Sequence, residues 1–131
     1  DALAPWLRAR LEHTLNLYRR VIRPLLVGGA RVYHHTPFLP IDRTTPWCVL
    51  EYAAADGSCA VIGLYRTSDV AEEVYTCHPR GLDAGATYQL TLDNSGQRCR
   101  VTGWELAQRG IRVRLSTVQT SELLVLERLE G

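Results

Sequence analysis

The chain has 131 residues, 46% hydrophobic and 22% charged, which places it among globular proteins of one-domain length and excludes disordered, collagen-like and coiled-coil classes. Its 15 basic residues are all Arg and its formal net charge is only +1, without the dense basic stripe of a nucleic-acid binder. No run reaches the roughly 20 apolar residues of a membrane span, because Arg19, Arg20 and Arg23 interrupt the longest candidate.

The first element is a helix. Leu3, Trp6, Leu7, Leu11, Leu15, Tyr18, Ile22, Leu25 and Leu26 recur at spacings of three and four, the signature of one apolar stripe on an amphipathic helix. Pro5 suits a first turn, where its missing N–H costs nothing, and Pro24 followed by Gly28-Gly29 marks a stop, so the helix is expected at about residues 3–23. Residues 1–23 also hold five Arg against Asp1 and Glu12, a balance of +3, while the remainder carries −2.

Short segments rich in Val, Leu, Tyr and Thr follow, at Arg31–Thr36, Trp47–Ala54, Cys59–Arg66, Glu72–His78, Thr87–Leu92, Cys99–Thr102, Ile111–Ser116 and Glu122–Leu129. Asp56-Gly57, Asp83-Ala84-Gly85, Asn94-Ser95-Gly96 and Arg109-Gly110 are turn signals between them. The expected fold is mainly β: an antiparallel sandwich of about eight strands, Greek-key in type, preceded by the helix.

A type I′ turn at Asp56-Gly57 makes facing residue numbers sum to 113, so that Cys48 lies opposite Tyr65, Leu50 opposite Gly63, Tyr52 opposite Val61 and Ala54 opposite Cys59. The other face of this hairpin carries Trp47, Val49, Ala53, Ile62 and Leu64, with only Glu51 and Arg66 to wet it. A strand pair apolar on both faces must be covered on both. The helix is expected to supply one cover and a neighbouring domain the other, and Leu123–Leu126 belongs near the same covered region.

Chemistry-bearing residues are sparse. Asp42, Asp56, Asp69, Asp83 and Asp93 fall at turns or strand ends, where carboxylates bond nearby backbone N–H groups, and Glu72, Glu73 and Glu105 read as solvated positions. His34 and His35 are neighbours on a strand and point to opposite faces, so they do not converge on one metal. One is expected to pack inward and the other to lie at an edge or interface, while His13 and His78 have no ligand-like neighbours.

Trp47 is expected on the covered hairpin face and Trp104 in an exposed turn, where an aromatic platform could meet a sugar ring. Cysteines 48, 59, 77 and 99 show no C-x-x-C spacing, which disfavours a zinc ribbon or thioredoxin-type site, and they read as buried free thiols in preference to a disulfide, for which three pairings are open. No glycine-rich phosphate loop is present, and no cofactor or catalytic residue is assigned.

The ordered string Tyr18-Arg19-Arg20, Arg23-Pro24, Arg31-Val32-Tyr33-His34-His35-Thr36-Pro37, Trp47-Cys48-Val49-Leu50-Glu51-Tyr52, Gly81-Leu82-Asp83, Tyr88, Gly103 with Leu106, and Gly110 resembles the C-terminal region of melibiase-type alpha-galactosidases of clan D. The resemblance implies that residues 1–26 correspond to the last helix of a catalytic (β/α)₈ barrel and residues 27–131 to an accessory β-sandwich domain. The family's catalytic aspartates sit at barrel strand ends, and no position here matches them.

The leading expectation is therefore a noncatalytic domain that packs on and stabilises such a barrel. A carbohydrate-binding module contacting sugars through Trp104, Tyr33 or Trp47 is the alternative, and a stand-alone enzyme built on His34 or His35 a third reading. Tyr33, His34, His35, Trp47 and Trp104 are the candidate sugar or domain-interface contacts. The absence of methionine implies a processed or excised chain, and the lack of a signal pattern implies the cytoplasm. An excised domain would also self-associate through its uncovered apolar surface.

Overall fold

A computed structural model of the chain describes residues 5–36, 47–66, 73–115 and 121–130. Helix α1 (Pro5–Leu17) passes through a π-helical segment (Tyr18–Ile22) into α2 (Arg23–Val27). Pro24 does not end the helix as its position implied. It sits in the first turn of α2, where its missing N–H is harmless, because the wider π turn absorbs the break in the hydrogen-bond ladder. The helix instead stops at Gly28 and Gly29, where Gly29 takes φ 84° and the Gly28 N–H donates to the Pro24 carbonyl (3.0 Å).

Eight strands follow among the described residues: β1 (Arg31–His34), β2 (Trp47–Ala53), β3 (Cys59–Arg66), β4 (Val74–Cys77), β5 (Thr87–Leu92), β6 (Gln97–Thr102), β7 (Ile111–Arg114) and β8 (Ser121–Leu129). They match the expected segments in number and order. One sheet has six strands in the order β1-β2-β3-β8-β5-β6, and the second pairs β4 with β7. All pairings are antiparallel. The long return that places β8 between β3 and β5 gives the sandwich its Greek-key character.

The core lies between the two sheets. Trp47, Val49, Ile62, Leu64, Leu90, Leu124 and Leu126 of the large sheet meet Cys77, Ile111 and Val113 of the small one. The hairpin face bearing Trp47 is thus covered by this chain's own second sheet, which corrects the expectation that a neighbouring domain covers it. Nor do Glu51 and Arg66 wet that face, since they are 0% and 5% exposed. Arg66 Nη1 donates to the Leu115 carbonyl (2.9 Å), and Glu51 has partners described below.

The β2–β3 register is the expected one, with Cys48 opposite Tyr65, Leu50 opposite Gly63 and Tyr52 opposite Val61. The turn differs from a two-residue type I′. The Gly57 N–H donates to the Ala54 carbonyl (3.0 Å), centring the tight turn on Ala55 and Asp56, and Gly57 follows at φ 75°. Asp56 Oδ1 accepts from the Ser58 N–H (3.0 Å). Hydrogen bonds from Ser58 hold the Asp56 carboxyl below its usual range.

The segment expected as a turn around Trp104 is helix α3 (Gly103–Gln108). Thr102 caps it, its hydroxyl accepting from the Glu105 N–H (3.1 Å). The Thr102-x-x-Glu105 spacing is the capping-box signal that reveals this helix in the sequence.

Candidate functional site

Two features of the structure bear on function: the face of the large sheet under the helix, and a polar node on the opposite face. Leu17, Val21 and Leu25, spaced four apart, pack on Val61 of β3 and Val125 of β8. An α-helix advances about 100° per residue, so residues eight apart would drift about 80° out of line. The slower π turn between them brings Leu17 and Leu25 back to one face.

The stripe read from the sequence shares Leu25 with this set and omits Leu17 and Val21. Leu15 and Leu26 are 52% and 47% exposed, and Val27 is 80% exposed. Ile22 is half-buried, and the side chains of Trp6, Leu7, Leu11 and Tyr18 lie outside what the structure describes. The helix is therefore apolar on two sides, with the sandwich using only one. An exposed surface of this kind marks an interaction face.

Beside α2 the sheet is left open. Ile22 and Leu26 form one wall of a groove of about 290 Å³ whose floor is Leu50, Val61, Gly63 and Leu123, with Tyr65 at its far side. Tyr65 is 46% exposed. On the other flank of the helix a cleft of about 500 Å³ is lined by Arg20, Asp56, Glu127 and Arg128, with Arg20 and Glu127 3.6 Å apart. Cys59 also lines it, and burial pushes its thiol up to about 11. His13 Nε2 lies 2.5 Å from Asp93 Oδ1, a further tie between α1 and the sandwich.

The polar node is built on Glu51. Its Oε2 accepts from the Gly81 N–H (2.8 Å), and its Oε1 accepts from the Arg80 N–H (2.9 Å) and lies 2.6 Å from His35 Nε2. The His35 side chain is 5% exposed. Gly81 is required here, because a Cβ would stand 2.1 Å from the Ala53 Cβ.

The adjoining Gly-Leu-Asp turn is fixed by Tyr88, whose hydroxyl accepts from the Asp83 N–H (2.8 Å) and donates to the Gly57 carbonyl (2.5 Å). Gly103 closes on the same turn, where a Cβ would lie 2.0 Å from the Asp83 carbonyl oxygen. These contacts fasten loops together, and neither a nucleophile nor a pair of converging acids sits among them.

The candidate residues occupy separate places. His35 points inward to Glu51, and His34 is exposed on the edge strand β1. Tyr33 is half-buried and lines a cleft of about 280 Å³ with Arg31, Arg80 and Asp83. Trp47 is 4% exposed and packs against the Tyr75 ring, tilted by 32° with centroids 5.4 Å apart. Trp104 is 57% exposed on α3, where its backbone N–H donates to the Ala84 carbonyl (3.1 Å).

Asp83 and Asp56 serve turns, while Asp42, Asp69 and Glu72 lie outside the described residues. Among the described residues no cluster of His, Cys, Asp or Glu could hold a metal. All four cysteines are unpaired; Cys77 is buried, Cys48 and Cys59 partly so, and Cys99 exposed. No helix among the described residues is long and apolar enough to cross a membrane.

Comparison with known proteins places this architecture. Over 98% of its length the chain superposes on the galactosidase domain of an alpha-galactosidase–sucrose kinase, at 15% identity and a TM-score of 0.69, covering 17% of that chain. It matches an alpha-galactosidase from Lactobacillus brevis over 99% of its length, at 17% identity and a TM-score of 0.74, covering 18% of that chain. A family 36 alpha-galactosidase from Geobacillus stearothermophilus matches over 98% at 19% identity and a TM-score of 0.69, covering 16%.

At these identities the likeness shows the fold, and the chain spans about a sixth of each of those proteins. No curated protein sequence matches it. The profile described as "Glycosyl hydrolase family 36 C-terminal domain" matches residues 47–126. The chain belongs to the C-terminal domain family of glycosyl hydrolase family 36, the family of the Geobacillus stearothermophilus alpha-galactosidase and in line with the resemblance seen in its sequence.

Proposed function

We propose that this chain is a noncatalytic domain that packs on, and stabilises, the catalytic barrel of an alpha-galactosidase-like glycoside hydrolase. Residues up to about 26 are the last helix of that barrel, and the sandwich is the accessory domain. The observation that carries this reading is the two-sided helix: Leu17, Val21 and Leu25 grip the sandwich while Leu15 and Leu26 face outward. A helix with that distribution bridges two bodies, one of which is this sandwich.

The test has two arms. The 131-residue chain should give no turnover of aryl alpha-galactosides above blank; clear turnover refutes the noncatalytic assignment. In the full-length enzyme, removing the residues after Val27 should lower the melting temperature of the barrel, and an unchanged barrel refutes the stabilising role.

One observation favours a second reading. Trp104 is 57% exposed on a short helix and is available to a sugar ring. If it binds, galactosides at millimolar concentration should change the tryptophan fluorescence of the chain and leave that of Trp104→Ala unchanged. No change in the parent chain removes this reading.

A further inference from the structure

We propose that the groove beside α2 seats a second helix of the catalytic barrel, which lays two apolar side chains over Gly63 while packing along the outward stripe of α1 and α2. This rests on the reading of that helix as the end of the barrel.

The groove has the composition of a packing surface. Of its lining residues only Tyr52 and Tyr65 carry a polar side-chain atom. A small-molecule site needs a few converging polar groups to orient its ligand, and the lining offers two phenol hydroxyls and no charged side chain. Its volume of about 290 Å³ is roughly twice the ~150 Å³ that accommodates one benzene ring, which is room for about two large apolar side chains. Two such groups one turn apart on a helix are the natural occupant of a groove of this shape.

The floor is shaped for insertion. Gly63 leaves a notch, and a Cβ built there would meet the Tyr65 ring at 3.2 Å. Any larger residue would push that ring across the groove. Gly63 lies opposite Leu50 on one side and Leu123 on the other, so the notch is walled by leucines along the sheet.

Position selects the occupant. Ile22 and Leu26 belong both to the groove wall and to the outward stripe. Leu25 and Val61 belong both to the groove and to the packed helix–sheet interface. The groove therefore continues an interface already formed, and a body lying on the stripe also covers the groove. In a (β/α)₈ barrel the last helix has ring neighbours on either side, at the 8–10 Å spacing of packed helices. A domain joined covalently through α1 is held at far higher effective concentration than a second copy in solution.

The test is hydroxyl-radical footprinting of the full-length enzyme against the 131-residue chain. Tyr65 and Leu26 should be several-fold less reactive in the enzyme. Tyr65→Glu, at an exposed position, and Gly63→Leu should leave the melting temperature of the 131-residue chain unchanged within a few degrees and lower that of the barrel. Equal reactivity in the two proteins, or equal destabilisation of both by Tyr65→Glu, overturns the proposal.

Protection that appears in the 131-residue chain only as its concentration rises, and is missing from the dilute enzyme, assigns the groove to a second copy and also overturns it. Removal of the sandwich separates the two readings. A barrel that melts lower without it, combined with unprotected Tyr65, sinks the groove proposal and keeps the stabilising function. Protected Tyr65 with an unaffected barrel does the reverse.

Discussion

Replacing Glu51 by Ala should remove a large share of the stability of the chain. Glu51 is fully buried and serves three donors: the Arg80 N–H, the Gly81 N–H and His35 Nε2. Each donor left without an acceptor costs about 1–3 kcal/mol. Arg80 is an exposed residue and Gly81 a half-exposed one, so water can reach part of the gap and the lower end of that range applies. Three donors at the low end give about 3–5 kcal/mol, the range measured when one member of a buried polar pair is lost.

Set against a typical total of about 5–15 kcal/mol, this is a substantial fraction. With an unfolding entropy of about 2.1 cal/mol/K per residue, a loss of ~4 kcal/mol over 131 residues lowers the melting temperature by roughly 15 °C. Glu51→Gln keeps the shape and one acceptor oxygen and should cost about half as much.

The assay is equilibrium urea unfolding followed by tryptophan fluorescence and circular dichroism, which should show a lower midpoint with an unchanged slope. Glu127→Ala is the control, because its pair with Arg20 is solvent-exposed at 3.6 Å and should matter by no more than ~0.5 kcal/mol. A Glu51→Ala protein within ~1 kcal/mol of the parent would refute the node as an organising contact.

Other consequences can be measured on the same protein. Tyr88→Phe strips both the donor to Gly57 and the acceptor for Asp83, and should cost about 1–3 kcal/mol by urea unfolding. Gly103→Ala forces a methyl against the Asp83 backbone and should cost about 3 kcal/mol or more, whereas Gly96→Ala, with nothing within 4 Å but φ +74°, should cost only ~1 kcal/mol.

Burial, aided by the negative charge of Glu51, pushes the Cys77 thiol up to about 12 from 9.0. The folded state then holds its proton more tightly than the unfolded state. This contribution is intact below pH 9, and stability should fall as pH rises from about 9 towards 12. Cys77→Ala should flatten that alkaline slope. In a timed maleimide reaction at neutral pH, exposed Cys99 should label first and Cys77 last, on the timescale of unfolding.

The strands were legible because their signals are local. Valine, tyrosine and leucine runs bounded by Asp-Gly, Asn-Ser-Gly and Arg-Gly punctuation placed all eight, and the hairpin register followed from the pairing arithmetic even though the turn itself is built differently. Glu51 reads as a wetting residue in the sequence because its partners lie 29 and 30 positions away in the backbone of Arg80 and Gly81, a relation no local pattern contains.

The helix stripe was legible as periodicity but not as direction. The sequence pattern takes in Leu15, Leu25 and Leu26 but misses Leu17 and Val21, which a π turn that ordinary 3.6-residue counting does not anticipate aligns with Leu25. Within the resembling string, Gly81, Asp83, Tyr88 and Gly103 converge on one turn and fasten it, an architectural role.

The π turn between Tyr18 and Ile22 behaves as a phase buffer between whatever precedes α1 and the sandwich. It stores one extra residue without rotating the two helical ends against each other. Deleting Arg19 would shorten the interval from Leu17 to Leu25 from eight residues to seven, which an unbroken α-helix carries within about 20° of two full turns. Such a deletion keeps both ends in phase, while the same deletion at Asn16 adds no compensation and swings everything upstream by about 100°. Pro24 keeps the buffer in place, since in an unbroken helix it would cost about 3 kcal/mol. The pair Pro24→Ala with Arg19 deleted should therefore be accepted where the deletion alone is not. A proline that looked like a full stop in the sequence works as the catch on a one-residue slack in the line.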